Sequence, residues 1–190
     1  MLAEKLERYT YADYLEWGED VKCELIDGII YNMASPSARH QDVVFELGSR
    51  FKNFLRGRRC KTYLAPLDVR LNAHSFDDTI VQPDIIILCD RTKLDPKGRG
   101  IIGAPDMVVE VMSPSTAYKD RALKHKKYMD AGIKEYWIAD SENNTMEVYL
   151  LENGKYYSRH YGGNDKVPVQ VLPKLEIDLG EVFAEEVWGE

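Results

Sequence analysis

Hydrophobic positions along this chain fall into two periods, and the switches between them mark its elements. From Ser37 to Arg56, Val43, Val44, Leu47, Phe51, Phe54 and Leu55 recur at three- and four-residue steps, which predicts a helix with one buried face that stops at Gly57. Upstream, Cys23-Glu-Leu-Ile-Asp-Gly-Ile-Ile-Tyr31 sets Asp27-Gly28 between β-rich flanks. That predicts a hairpin, because a type I′ turn needs positive φ at both central positions. Nearer the start, Thr10 can cap a short helix, with Asp13 at its third position and Tyr14, Leu15 and Trp17 on the inner side.

Strand patterns follow the long helix. Thr62 to Leu71 alternates in part, through Tyr63, Ala65, Leu67, Val69 and Leu71. Ile80 to Leu88 is nearly continuous apolar, as a strand covered on both faces would be, and Met107 to Met112 is short and likewise apolar. Between them Asp90 to Gly103, with Asp95-Pro-Lys-Gly98 and Gly100, reads as a loop. Ser115 or Thr116 can cap a second helix that runs from about Ala117 to Ala131 and ends at Gly132. Lys134 to Ala139 returns to strand, hairpin turns are signalled at Asn143-Asn144 and Asn153-Gly154, and Val167 to Leu172 and Leu175 to Leu179 close the chain as strands. The middle order, helix–strand–strand–strand–helix–strand, predicts an α/β or α+β fold with a mixed sheet flanked by helices.

Composition narrows the function. The chain has 190 residues, 44% hydrophobic and 30% charged, enough for one domain whose core needs no disulfide. Its net charge of −7 excludes a surface that grips nucleic acid all over, so any such contact must be local or mediated by metal ions. Cys23, Cys60 and Cys89 are odd in number and contain no CxxC pair, which argues against structural zinc and predicts three reduced thiols. The start of the chain is polar within a few residues, and the longest apolar run is only Ile85 to Cys89. A cytoplasmic protein without signal peptide or membrane span is expected.

Acids in apolar runs carry the candidate chemistry. Asp84, in Gln82-Pro83-Asp84, opens a buried strand. Asp106, Val108, Glu110 and Met112 share one face of the next strand, with Glu110 among valines. A carboxylate there is costly unless it is paired or bound to metal, so a structural ion pair is the competing reading, and Asp106 reads as structural. The turn Ser113-Pro-Ser-Thr116 reads as a helix start. In the helix that follows, Asp120, Lys124 and Tyr128 line one stripe, while Lys119, Arg121, Lys126 and Lys127 point outward. Two carboxylates can fix Mg²⁺, which keeps several waters, and a nearby ammonium can stabilise a phosphorane.

These residues resemble a known family. Pro83-Asp84, with Glu110 twenty-six residues on, looks like the PD-(D/E)XK nuclease superfamily. More narrowly, several stretches resemble the Uma-two family of restriction endonucleases: Glu24-Leu-Ile-Asp-Gly28, Ser35-Pro-Ser-Ala-Arg-His40, Gly103-Ala-Pro-Asp-Met-Val-Val-Glu-Val-Met-Ser-Pro-Ser-Thr116, the Asp120/Lys124/Tyr128 spacing, and Ala131-Gly-Ile-Lys-Glu-Tyr-Trp-Ile-Ala-Asp140. The resemblance implies a restriction endonuclease-like domain over 1–190, with its core at about 35–140 and a β extension over 141–190. It implies that Asp84, Glu110 and the backbone carbonyl of Val111 bind Mg²⁺ or Mn²⁺. The superfamily lysine stands two residues after the second acid, where this chain has Met112. Lys124 fits a lysine relocated to the following helix, with Lys127 as the fallback. Glu46 is available as an acid from the first helix, and His40 and Glu24 match family positions without a derived role.

The function implied is a metal-dependent endonuclease acting on DNA, often as a homodimer. A catalytically degenerate DNA-binding or protein-interaction module competes with it, favoured by Met112 and the net charge. A hydrolase of a small phosphorylated substrate is the third reading. Lys52, Arg56, Arg58 and Arg59 at the end of the first long helix read first as a solvated helix end that suits the dipole, and second as candidates for DNA-backbone contacts.

Overall fold

Asp27 and Gly28 take φ angles of 53° and 75°, and this turn folds β1 (Cys23–Ile26) back on β2 (Ile29–Asn32) in the expected hairpin. The computed structural model describes residues 7–18, 21–112 and 119–184. Ahead of the hairpin lies α1 (Tyr11–Tyr14), where Asp13 accepts from the Thr10 N–H at 2.7 Å and its hydroxyl at 2.8 Å. Leu15, placed inside by its spacing, is 46% exposed, because the helix ends before its side chain can turn inward. Next comes α2 (Ala38–Phe54), whose N-cap Ser37 accepts from the His40 N–H. A Cβ at Gly48 would stand 3.0 Å from Leu64, so a glycine lets this helix lie close to the sheet edge.

Two of the predicted strands are each divided between two sheets. Thr62–Leu71 becomes β3 (Lys61–Leu64) and β4 (Val69–Arg70), and Ile80–Leu88 becomes β5 (Ile80–Val81) and β6 (Ile85–Leu88). The breaks fall at Pro66, after a cis peptide bond, and at Pro83. Proline has no N–H for the ladder, so each run leaves one sheet there and enters the other. The loop after β6 contains β7 (Ile101–Ile102), followed by β8 (Met107–Met112). Beyond a π-helical turn, Lys119–Lys124, come α3 (His125–Ala131), β9 (Glu135–Asp140), β10 (Thr145–Glu152) and β11 (Lys155–Tyr161). The chain then forms β12 (Lys166–Pro168), β13 (Glu176–Asp178) and α4 (Leu179–Val182). The turn Ser113–Thr116 and the helix start at Ala117 lie outside the described residues.

The main sheet runs β11-β10-β9-β8-β6-β3, with β8 and β9 parallel and the other pairs antiparallel. The smaller sheet runs β2-β1-β5-β4-β7, and β12 pairs with β13 alone. Alternation along the main sheet separates two cores. Ile85, Ile87, Val109, Val111 and Trp137 pack against Val43, Leu47 and Phe51 of α2. Ile86, Val108, Met112, Tyr136 and Ile138 face the other way, against Tyr128 of α3 and Ile26, Val69, Val81 and Ile101 of the smaller sheet. Each fully buried side chain of this size contributes roughly 1.5–3 kcal/mol relative to exposure. The strands after Asp140 extend the main sheet, and Tyr149 and Tyr156 turn inward onto Tyr136. Among the described residues no helix is long and apolar enough to cross a membrane.

The cysteines depart from the expectation of three reduced thiols. Cys60 and Cys89 form a disulfide across the ends of β3 and β6, with Cα atoms 4.0 Å apart, while Cys23 is free and buried. Spacing along the chain gives no hint of this, because the pair meets only through strand register: Lys61 lies opposite Leu88, and one step outward sets Cys60 against Cys89. Denatured without reductant, the purified protein is expected to show one thiol per chain to Ellman's reagent, and three after reduction. Three thiols before reduction would refute the pairing.

Candidate active site

The site forms where the chain crosses from the smaller sheet to the main one, at Gln82-Pro83-Asp84. In the β6–β8 ladder Ile86 pairs with Val108 and Ile85 with Val109, so the next step sets Asp84 opposite Glu110 on one sheet face. Asp84 Oδ2 accepts the Val111 N–H at 2.7 Å, which fixes the carboxylate beside the strand. Its side chain is 20% exposed, whereas that of Glu110 is 5% exposed. The two acids named from sequence are therefore neighbours, one at the rim and one beneath it.

His40, in the first turn of α2, places Nε2 3.3 Å from Asp84 Oδ2. Burial disfavours its protonated form, but Asp84 and the Val111 backbone outweigh that and hold its pKa above the ordinary value. Its Nδ1 is buried with no hydrogen-bond partner among the described residues.

Beneath the rim lies a network of buried charge. Lys124 Nζ stands 2.8 Å from Glu110 Oε1, 2.8 Å from Glu24 Oε1 and 3.8 Å from Asp120 Oδ1. Tyr128 donates its hydroxyl to Glu110 Oε1 at 2.5 Å. Glu24, fully buried on β1, accepts the Gln82 N–H at 2.9 Å and pairs with Lys119 at 2.7 Å. Burial opposes the charge on Lys124, but Glu110, Glu24 and Asp120 outweigh it and keep its pKa well above the usual lysine value. Burial likewise raises Glu24, yet Lys124 and Lys119 bring it below its usual value. Glu110 has only a share of Lys124, so burial pushes it up to about 8, with Asp120, Asp84 and Glu24 adding to the rise.

Lys119 was expected to point outward and instead reaches the buried Glu24. The π-helical turn explains this, because residues five apart lie over one another in such a turn and Lys119 is brought above Lys124. Among the described residues the cluster sets four carboxylates, Glu24, Asp84, Glu110 and Asp120, against two ammonium groups, Lys119 and Lys124. With Glu110 raised to about 8 and His40 beside Asp84, the cluster nears charge balance at neutral pH, and a cation bound there would displace the Glu110 proton. Among the described residues no group of three or more His, Cys, Asp or Glu side chains is placed to hold a metal ion. The donor set fits instead a hard ion that takes one or two carboxylates and keeps its waters. Among the described residues, Asp84 Oδ1 and Glu110 Oε2 accept no hydrogen bond and are the oxygens such an ion would use.

Other candidates lie elsewhere. Glu46 pairs with Arg50 at 3.2 Å, and Arg50 also reaches Glu181, so the first-helix acid serves the α2–α4 contact rather than the site. Lys127 pairs with Asp27 at the hairpin turn. Asp106 accepts the Cys89 N–H at 2.8 Å and pairs with Lys134, the structural role expected of it. Met112 is buried in the apolar core. Arg58 closes the end of α2 by donating to Phe54 O and lying over the Phe54 ring, whereas Lys52 and Arg56 are exposed. The residue whose importance sequence reasoning missed is Glu24. Its signal was an acid inside a four-residue strand that is otherwise apolar and wholly buried.

Comparisons with known proteins bear on the family and the fold. A profile of the Uma2 family, described as "Putative restriction endonuclease", matches residues 11–180. The Synechocystis sp. protein slr1290, named as uncharacterized, is 29% identical over 165 residues, covering 84% of each chain. A second Synechocystis sp. protein, sll1609, also named as uncharacterized, is 26% identical over 143 residues, covering 74% of this chain and 79% of its own. The crystal structure of an Anabaena variabilis protein, described as a putative nuclease belonging to DUF820, superposes with a TM-score of 0.75 at 21% identity. It covers 92% of this chain and 97% of that one, and so shares the fold.

Proposed function

The chain belongs to the Uma2 family, and from that premise we propose that it is a Mg²⁺- or Mn²⁺-dependent endonuclease that hydrolyses DNA phosphodiester bonds. The observation that carries the reading is the juxtaposition of Asp84, held at the rim by the Val111 N–H, with the buried Glu110, whose carboxylate has the Lys124 ammonium 2.8 Å away. Asp84, Glu110 and the Val111 carbonyl are the proposed ligands. A divalent ion held there supplies an activated water and screens the phosphate. Lys124 holds Glu110 in place and presents positive charge toward the developing phosphorane. Glu24 fixes Lys124 from behind, so that the ammonium stays protonated and aimed. His40 orients Asp84.

A non-catalytic module of the same fold is the second reading, and one observation favours it: Lys124 is buried and already bonded to two carboxylates. Calorimetry with Mn²⁺, together with a plasmid-nicking assay, separates the two. One binding site with metal-dependent nicking is the expected result. Binding without nicking would favour the module, and absence of both would remove the metal site as well.

A further inference from the structure

At the end of β6 remote from Asp84, an open pocket of about 420 Å³ is lined by Arg59, Lys61, Tyr63, Leu88, Arg91 and Leu94. Three cations and no carboxylate line one concavity on a chain of net charge −7. Lys119, Lys127, Arg50 and Arg70 close on acids, whereas Arg59, Lys61 and Arg91 are exposed. Arg59, Lys61 and Arg91 form no ion pair with any described residue. Asp90 is near Arg59, but its Oδ1 already accepts the Thr92 N–H at 3.0 Å and the Thr92 hydroxyl at 2.7 Å. The rim is held in place. Arg59 Nε donates to the Cys89 carbonyl at 3.0 Å, and the Cys60–Cys89 disulfide ties the two strand ends together.

Register relates this pocket to the acids. Lys61 lies opposite Leu88 and Tyr63 opposite Ile86, so Lys61, Tyr63, Asp84 and Glu110 share one face of the main sheet. Asp84 and Leu88 are four residues apart on one strand, which at about 3.3 Å per residue is roughly 13 Å. Strand β3 is the outer strand of its sheet, and Lys61 and Leu64 at its two ends are exposed.

We propose that this pocket binds a backbone phosphate of the nucleic-acid strand whose reacting phosphodiester lies at Asp84 and Glu110, a proposal that rests on the nuclease reading. Guanidinium and ammonium groups without a competing acid suit phosphate oxygens. A contact to a phosphate positions the strand and carries no sequence information directly. Successive phosphates of one strand stand roughly 7 Å apart, about twice the axial rise, so the separation corresponds to about two nucleotides.

The test is fluorescence anisotropy of labelled single-stranded and duplex DNA in EDTA, across a salt series, with wild type and the triple variant Arg59→Gln/Lys61→Gln/Arg91→Gln. Metal-dependent nicking by both proteins is measured in parallel. Wild type is expected to bind with an affinity that falls with salt. The folded variant should bind about tenfold more weakly or worse at low salt, with a salt slope smaller by about 2. Equal affinity and slope for the two proteins would overturn the proposal, as would absence of DNA binding by wild type. Saturation by inorganic phosphate alone, with no DNA affinity, would also overturn it and make the pocket a site for free phosphate. Nicking by the variant at an unchanged plasmid KM would discard the pocket and keep the nuclease. Pocket-dependent DNA binding with no nicking by wild type would keep the pocket and discard the reaction.

Discussion

Replacing Asp84 with asparagine is expected to abolish the Mn²⁺ isotherm and to lower plasmid nicking by a factor on the order of a thousand or more, since the metal and the water it activates go together. The substitution is chosen for what it keeps. An amide oxygen can still accept the Val111 N–H that now binds Asp84 Oδ2 at 2.7 Å, so the corner between β5 and β6 should hold its shape. It also takes from His40 the partner that raises its pKa, so the melting temperature in EDTA should fall modestly at acidic pH, where His40 is protonated, and little at higher pH. Asp106→Asn is the matched control, because Asp106 sits at the start of the same strand as Glu110 but serves Cys89 and Lys134 instead. It should leave metal binding and nicking as they are. An Asp84→Asn protein that binds Mn²⁺ like wild type would move the metal elsewhere and strip Asp84 and Glu110 of the role proposed for them.

How much of this was legible depends on the distance over which each feature is encoded. The α2 period, the Asp27-Gly28 turn and the stop at Gly132 are local, and they appear where the pattern puts them. Asp84 and Glu110 were legible as acids in apolar runs, and their meeting follows from strand order. The splitting of two strands was signalled by Pro66 and Pro83, but apolar alternation continues through both prolines and conceals the change of sheet. Lys119 was misplaced because helical spacing was read at 3.6 residues per turn, while residues 119–124 wind more loosely. The partners of Glu24 and the Cys60–Cys89 pair were illegible for a different reason. Each acts across dozens of residues of chain, through a register that no local pattern records.

Lys124 poses the sharper test, because two roles meet in one amine. Lys124→Met is expected to destabilise the protein by about 3–5 kcal/mol, the usual cost of leaving buried partners uncompensated. That corresponds to a fall in Tm on the order of 10 °C for a domain of this size. The loss should appear whether or not the protein is an enzyme, since Glu24 and Glu110 each stand 2.8 Å from the ammonium. A degenerate module would need this lysine as well, because the buried network depends on it. The double variant Glu24→Gln/Lys124→Met should lose less than the sum of its single variants, because Glu24 no longer needs a counter-charge. Strict additivity would mean that the two side chains are not coupled as their geometry indicates. Activity must therefore be judged on protein that is still folded. Lys124→Arg keeps the charge but changes its reach and shape, so it should retain more stability than Lys124→Met while nicking falls sharply. If folded Lys124→Arg nicks DNA at the wild-type rate, the amine is only a strut for Glu110 and Glu24, and another group, with Lys119 the nearest cation, must face the phosphate.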